Sequence, residues 1–284
     1  MFEWLVDPLR YAFMVRGITA AVAVGILCSA VGAFVVLRGM TFIGDALAHA
    51  VLPGLAVGFL TAGKGDRDSL FWWAMGTAIL TALGMGWISS RTRFREDAAI
   101  GIVFAGMFAL GIALISTVRG FSVDLVHFLF GNVLGVSTHD LFLIGLFGGL
   151  VLLFLFLFYK ELVIVSFDIT LARTLRIRAA FYRYLLFVLV AITVVLSLQT
   201  VGIGLMLAML VTPASTAHLL TKRLPSMLLL GAVLGAVSGI VGLYLSFYWG
   251  VASGAAIVLV SIFFFLVALA ATSLRSKPRQ SHIS

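Results

Sequence analysis

Runs of about 20 apolar residues, each long enough to cross a bilayer as a helix, follow one another from near residue 11 to residue 273. So little charge cannot cover a water-facing surface. Of 284 residues, 62% are hydrophobic and 11% charged, with mean hydropathy +1.20, whereas soluble domains carry about 25% charged residues. In lipid every backbone polar group must be satisfied within the chain, which leaves helices or a closed barrel. The runs are too long, and alternate too little, for barrel strands. The chain is therefore expected to be an all-α polytopic membrane protein with spans at 11–37, 42–62, 69–90, 98–118, 139–160, 184–201, 203–221, 226–247 and 250–273. The segment 121–136 carries Asp124, His127 and Asn132 and is too short to span, so an interfacial or re-entrant helix is expected there. No linker or composition break divides residues 1–284, which read as a single transmembrane domain.

The net charge of +8 would suggest nucleic acid in a soluble protein; here the placement of the cations accounts for it. One side of the spans collects Arg38, Arg91, Arg93, Arg95, Lys160, Arg173, Arg176, Arg178, Arg183, Lys222, Arg223, Arg275, Lys277 and Arg279. The opposite side keeps Arg10, Arg16, Lys64, Arg67 and Arg119. The positive-inside rule puts the richer side, and with it the C-terminus, in the cytoplasm. Arg10 and Arg16 precede a long apolar run with no cleavage site, which argues for a retained first span. The single cysteine, Cys28, excludes an internal disulfide and reads as a packing residue. Gly231, Gly235 and Gly239 form a small-residue face for close helix packing, within the subunit or in a dimer.

Ionisable residues inside spans are costly and point to function. Three stand out: Asp45 and His49 in GDALAHAVLPG, and His218 in TPASTAHLLT. Four residues apart on a helix, a carboxylate and an imidazole share one face. They can hold one divalent ion, or simply satisfy one another by a hydrogen bond. His218 lies four residues before Lys222 and Asp45 seven after Arg38. At 1.5 Å per residue that is about 6 and 10 Å from the cation-rich side, so the three groups are expected at similar depth. Two imidazoles and a carboxylate make a first shell suited to Zn, Mn or Fe(II). Pro53 and Pro213 lie close to these groups and can break their helices, as happens beside transporter substrate sites. His127, His139, Asp140 and Asp124 read as solvated or capping groups on the opposite side, and Glu96 and Asp97 as the capped, ion-paired start of a helix. No phosphate-binding GxxxxGK[ST] and no GxSxG is present, so no catalytic residue is assigned. The polar stretch 166–183 reads as a short helix that either lies on lipid or docks a cytosolic partner.

The blocks VVLRGMTFIGDALAHAVLPGLAVGFL (35–60), REDAAIGIVFAGMFALGIALIS (95–116), SFDITLARTLRI (166–177), QTVGIGLMLAMLVTPASTAHLL (199–220) and SGIVGLYLSFYWGVASGAAIVL (238–259) resemble, in order, the permease subunits of the ABC-3 group, importers of manganese, zinc and iron. The resemblance implies a vitamin-B12-importer-like fold. It also implies a homodimer, two cytosolic ABC ATPase subunits, an extracytoplasmic metal-binding protein and the inner membrane of a bacterium. The family's intramembrane metal site maps onto Asp45 and His49, with His218 as a third ligand, and its coupling segment onto 166–183. There Phe167, Asp168 and Arg173 would meet the ATPase. The TPASTAHLLT context leans toward manganese. No permanently bound cofactor is expected, only the transported ion, with ATP hydrolysed by a partner. The rival reading is a proton-coupled secondary metal transporter in which Asp45 and His49 relay protons. Metal ligands must be deprotonated, so uptake is expected to weaken as His49 takes up a proton.

Overall fold

The computed structural model describes residues 6–62, 67–91, 96–117 and 133–275. Its regular elements are helices: α1 (Ala12–Leu37), α2 (Ile43–Ala50), α3 (Leu52–Ala62), α4 (Arg67–Arg91), α5 (Glu96–Ser116), α6 (Thr138–Leu157), α7 (Tyr159–Phe167), α8 (Ile169–Thr174), α9 (Ala179–Val201), α10 (Ile203–Leu220), α11 (Leu224–Trp249) and α12 (Ser253–Arg275). Nine helical stretches among the described residues are long and apolar enough to cross a membrane, α2 and α3 together forming one of them. They coincide with the nine expected spans, apart from ends that move by a few residues. Most of 121–136 lies outside the described residues; in the part that is described, 133–136, Val133–Gly135 form a single 3₁₀ turn.

Helices α1, α2–α3 and α9 are the most buried and form the centre of the bundle; α5 and α12 lie at its edge. Small residues permit this density. Gly25 of α1 meets Gly235 of α11 so closely that a Cβ on Gly25 would stand 2.7 Å from the Gly235 carbonyl. Gly239 rests on Ala21, and a Cβ at Gly32 would overlap the Leu210 carbonyl of α10. The Gly231, Gly235 and Gly239 face therefore packs inside the chain, with α1 as its partner.

The two ends of the bundle differ in charge. Arg38, Ser89, Glu96, Phe167, Asp168 and Arg183 come together at one end, where α1, α4, α5, α7 and α9 meet. At the other, Asp140 closes a capping box on Ser137 and accepts a hydrogen bond from Gln199 at 3.1 Å, while Tyr11 packs on Phe247. The His139 imidazole approaches Asp68 at 3.6 Å with both side chains more than half exposed. A pair so wet is worth well under 1 kcal/mol. Cys28 is buried, with its Sγ 3.1 Å from Ser197 Oγ.

The stretch 166–183 is broken rather than one helix, and the breaks have local causes. Asp168 adopts an extended backbone (φ −148°, ψ 101°) and caps α8, its Oδ1 accepting from the N–H groups of Thr170 (2.7 Å) and Leu171 (3.0 Å). Beyond Thr174 the chain turns through Arg176 at φ 55°, a left-handed conformation unusual for a side chain of this size, and α9 begins at Ala179.

Candidate functional site

The chain leaves α1 at Arg38 and reverses through Gly39, whose φ of +70° suits glycine, to enter α2. Eight residues later α2 stops; Val51 interrupts the span, and Pro53, which lacks an N–H, sits in the first turn of α3. This short helix carries both Asp45 and His49. One turn apart, they stand on the same face, half-exposed, with His49 Nδ1 3.4 Å from Asp45 Oδ1. The Nδ1–H donates to the Asp45 main-chain carbonyl at 3.0 Å. That bond fixes the tautomer, so Nε2 is the nitrogen with a lone pair to offer. Orientation of a ligating imidazole by a carbonyl on its other nitrogen is the usual support of a metal-binding histidine.

The imidazole is held from the side by α5. Its ring stands edge-to-face with Phe108 at 5.8 Å and with Phe104 at 6.2 Å; those two rings stack at 5.6 Å, and Phe104 in turn meets Phe42. Sequence reasoning passed over this aromatic wall. The signal was present, two phenylalanines four residues apart, but apolar spacing in an apolar helix says nothing of what it faces.

His49 also lines a cavity of about 1120 Å³. Its other walls come from Leu134, from Ile203 and Gly204 at the start of α10, and from Ser246, Gly250 and Ser253 around the α11–α12 turn. All of these lie at the end of the bundle opposite Arg38 and Arg223. His49 thus faces a cavity toward the cation-poor end whose walls are mostly apolar, with Ser246 and Ser253 as the polar exceptions.

His218 is not brought to the pair. It is exposed in the last turn of α10, whereas the residues of α10 that share the cavity with His49 are Ile203 to Leu205. From Gly204 to His218 is about 21 Å at 1.5 Å per residue. The depth expected from the sequence fails because α2 and α10 run in opposite directions past one another: Gly44 packs on Leu207 and Leu210, so moving toward His49 moves away from His218. Pro213 lies buried inside an unbroken α10 and creates no opening. Among the described residues no group of three or more His, Cys, Asp or Glu side chains could hold a metal ion.

At the cation-rich end Phe167, Leu171 and Leu175 are exposed with Arg173 beside them, and Ala172 is buried beneath. The Asp168 carboxylate is occupied in capping α8.

Nine apolar helical stretches among the described residues, with a cavity between them that His49 lines, are the architecture of a multi-pass membrane protein. Over residues 10–272 the sequence matches the ABC 3 transport family, and the chain belongs to that family. It is the membrane subunit of an ABC transporter and not itself an enzyme. An ATPase and a binding protein are the partners such a permease implies. It is 48% identical over 263 residues to the manganese transport system membrane protein MntC of Halalkalibacterium halodurans, covering 92% of this chain and 87% of that one. It is 37% identical over 268 residues to a "Probable iron transport system membrane protein" of Haemophilus influenzae, covering 94% and 93%. Among solved structures, PsaBC from Streptococcus pneumoniae in complex with Fab superposes with TM-score 0.79 at 38% identity over 94% of each chain. A metal-chelate type ABC transporter in an inward-facing conformation has the same fold, TM-score 0.73 over 91% of this chain and 86% of that one, at 16% identity. Family membership sets aside the proton-coupled secondary transporter.

Proposed function

We propose that this permease imports a divalent transition metal, manganese before iron or zinc, and that Asp45 and His49 are the groups that replace part of the ion's water shell as it passes. One observation carries the reading: a carboxylate and an oriented imidazole stand a helical turn apart within a membrane span, and the imidazole lines a large cavity. Oxygen and imidazole without thiolate suit manganese and iron, and the names of the relatives favour manganese. Two protein ligands leave the shell open. A saturated cage would retain the ion as a structural site does, so incompleteness favours passage. We place the cation-rich end in the cytoplasm of a bacterial cell by the positive-inside rule. A homodimer of permeases with two ATPase subunits at that end, and an extracytoplasmic metal-binding protein at the other, completes the assembly. Exposed Phe167 and Arg173 would meet the ATPase, while Asp168 shapes the contact by capping α8. His218 stays outside the ligand set.

The test is uptake of manganese into liposomes holding the assembled complex. Asp45→Ala and His49→Ala should each lower ATP-dependent uptake by at least about tenfold, and His218→Ala should leave it unchanged. Wild-type uptake by either α2 variant would remove the pair from the route.

A further inference from the structure

Arg38 is the residue at which α1 ends, and its guanidinium is almost wholly buried, 6% exposed. Its Nη2 donates to Glu96 Oε1 at 2.7 Å, joining the end of α1 to the first residue of α5 across 58 positions of sequence. Burial presses the Arg38 pKa down from its ordinary value; Glu96 pulls it back up, and nearby Arg183 opposes. Charges so placed depend on one another, since removing one leaves the other buried and unpaired.

The position of the pair matters as much as its strength. From Arg38 the chain turns once at Gly39 and becomes α2, which carries Asp45 and His49. From Glu96 it becomes α5, whose Phe104 and Phe108 hold the His49 ring about 12 and 18 Å further along at 1.5 Å per residue. One ion pair thus fastens the two elements between which His49 is held. The same polar cavity, about 590 Å³, is lined by Ser166, Phe167 and Asp168 of the 166–183 stretch and by Arg183. Ser166 Oγ and Arg183 Nε are both buried there without a hydrogen-bond partner. Unpaired polar groups of this kind are costly.

We propose that the Arg38–Glu96 ion pair is the latch through which movement of the 166–168 segment reaches the Asp45–His49 pair, Arg38 and Glu96 acting as positioning residues that set α2 against α5. This rests on the coupling role proposed above. The experiment uses the full complex in liposomes and reads manganese ions imported per ATP hydrolysed, a ratio that simple loss of folded protein does not move. Arg38→Gln combined with Glu96→Gln leaves neither member of the pair charged without the other and should assemble. It should hydrolyse ATP yet import about tenfold fewer ions per ATP. Each single substitution should be no milder than the double, and Arg38→Lys should restore the ratio to within about twofold because the charge is kept. A wild-type ratio in the double variant, or single defects that add up in it, overturns the latch. Failure of the wild-type complex to couple uptake to ATP would instead overturn the transport reading itself.

Discussion

Asp45 and His49 are separable from the rest of the polar residues by what surrounds them. Asp140, Asp168 and Glu96 have their oxygens occupied by a cap, a turn or an arginine. The His49 ring has one nitrogen tied to its own helix and the other unengaged, with two phenylalanines limiting how it can turn. The wall should therefore matter to affinity. Phe108→Ala should raise the manganese concentration for half-maximal uptake by about tenfold, the scale on which outer supports of a ligand act, with assembly unchanged; a titration of uptake against free manganese checks this. The i, i+4 spacing made the shared face of Asp45 and His49 legible in the sequence, because one helical turn fixes the geometry. His218 was not excluded by the same reasoning, since the distance between residues of two different helices depends on how those helices pass each other. The Arg38–Glu96 pair was hidden for the same reason: Glu96 follows three arginines, and its actual partner lies 58 residues upstream.

Helices in this protein are told apart by their small residues more than by their large ones. Hydropathy located the spans because the cost of placing a backbone in lipid is local, but hydropathy is equal all round most of them and cannot say which face meets which neighbour. The Gly231, Gly235 and Gly239 series could only be read as a packing face; the structure gives it α1 as partner and grades its members. Gly235 faces the Gly25 carbonyl, with 2.5 Å left for a Cβ, whereas at Gly231 the nearest atom is 3.6 Å away. Gly235→Val should accordingly destabilise the permease by about 2–3 kcal/mol, seen as a lowered unfolding temperature in detergent, and Gly231→Ala should be tolerated. The stretch 166–183 was expected to be a single helix. Asp168 is a strong N-cap type and marks a helix start at 169, whereas the left-handed turn at Arg176 has no marker in the sequence.

Taken whole, the bundle has one end richer in arginine and lysine than the other, and the cavity that His49 lines lies toward the second. The orientation has a direct readout. With the lone native cysteine buried in α1, a Val251→Cys variant should react with a membrane-impermeant thiol reagent on intact cells, and a Phe167→Cys variant only after permeabilisation; the reverse pattern would invert the molecule. The charge asymmetry behind this expectation was fully legible, since loops and their cations can be counted without knowing how the helices pack. The segmentation of the second span was less so, because Pro53 marks a break without saying how short the piece before it is. That piece is eight residues long, with a glycine turn behind it and the Val51–Pro53 interruption ahead. Single residues tie it to its neighbours: Met40 N–H donates to the Val35 carbonyl behind it, and the Val51 carbonyl accepts from Leu55 N–H ahead. If Asp45 and His49 act as proposed, their spacing is set inside this one short helix, so any change in an ion's coordination during a cycle falls on the waters and outside oxygens that complete it.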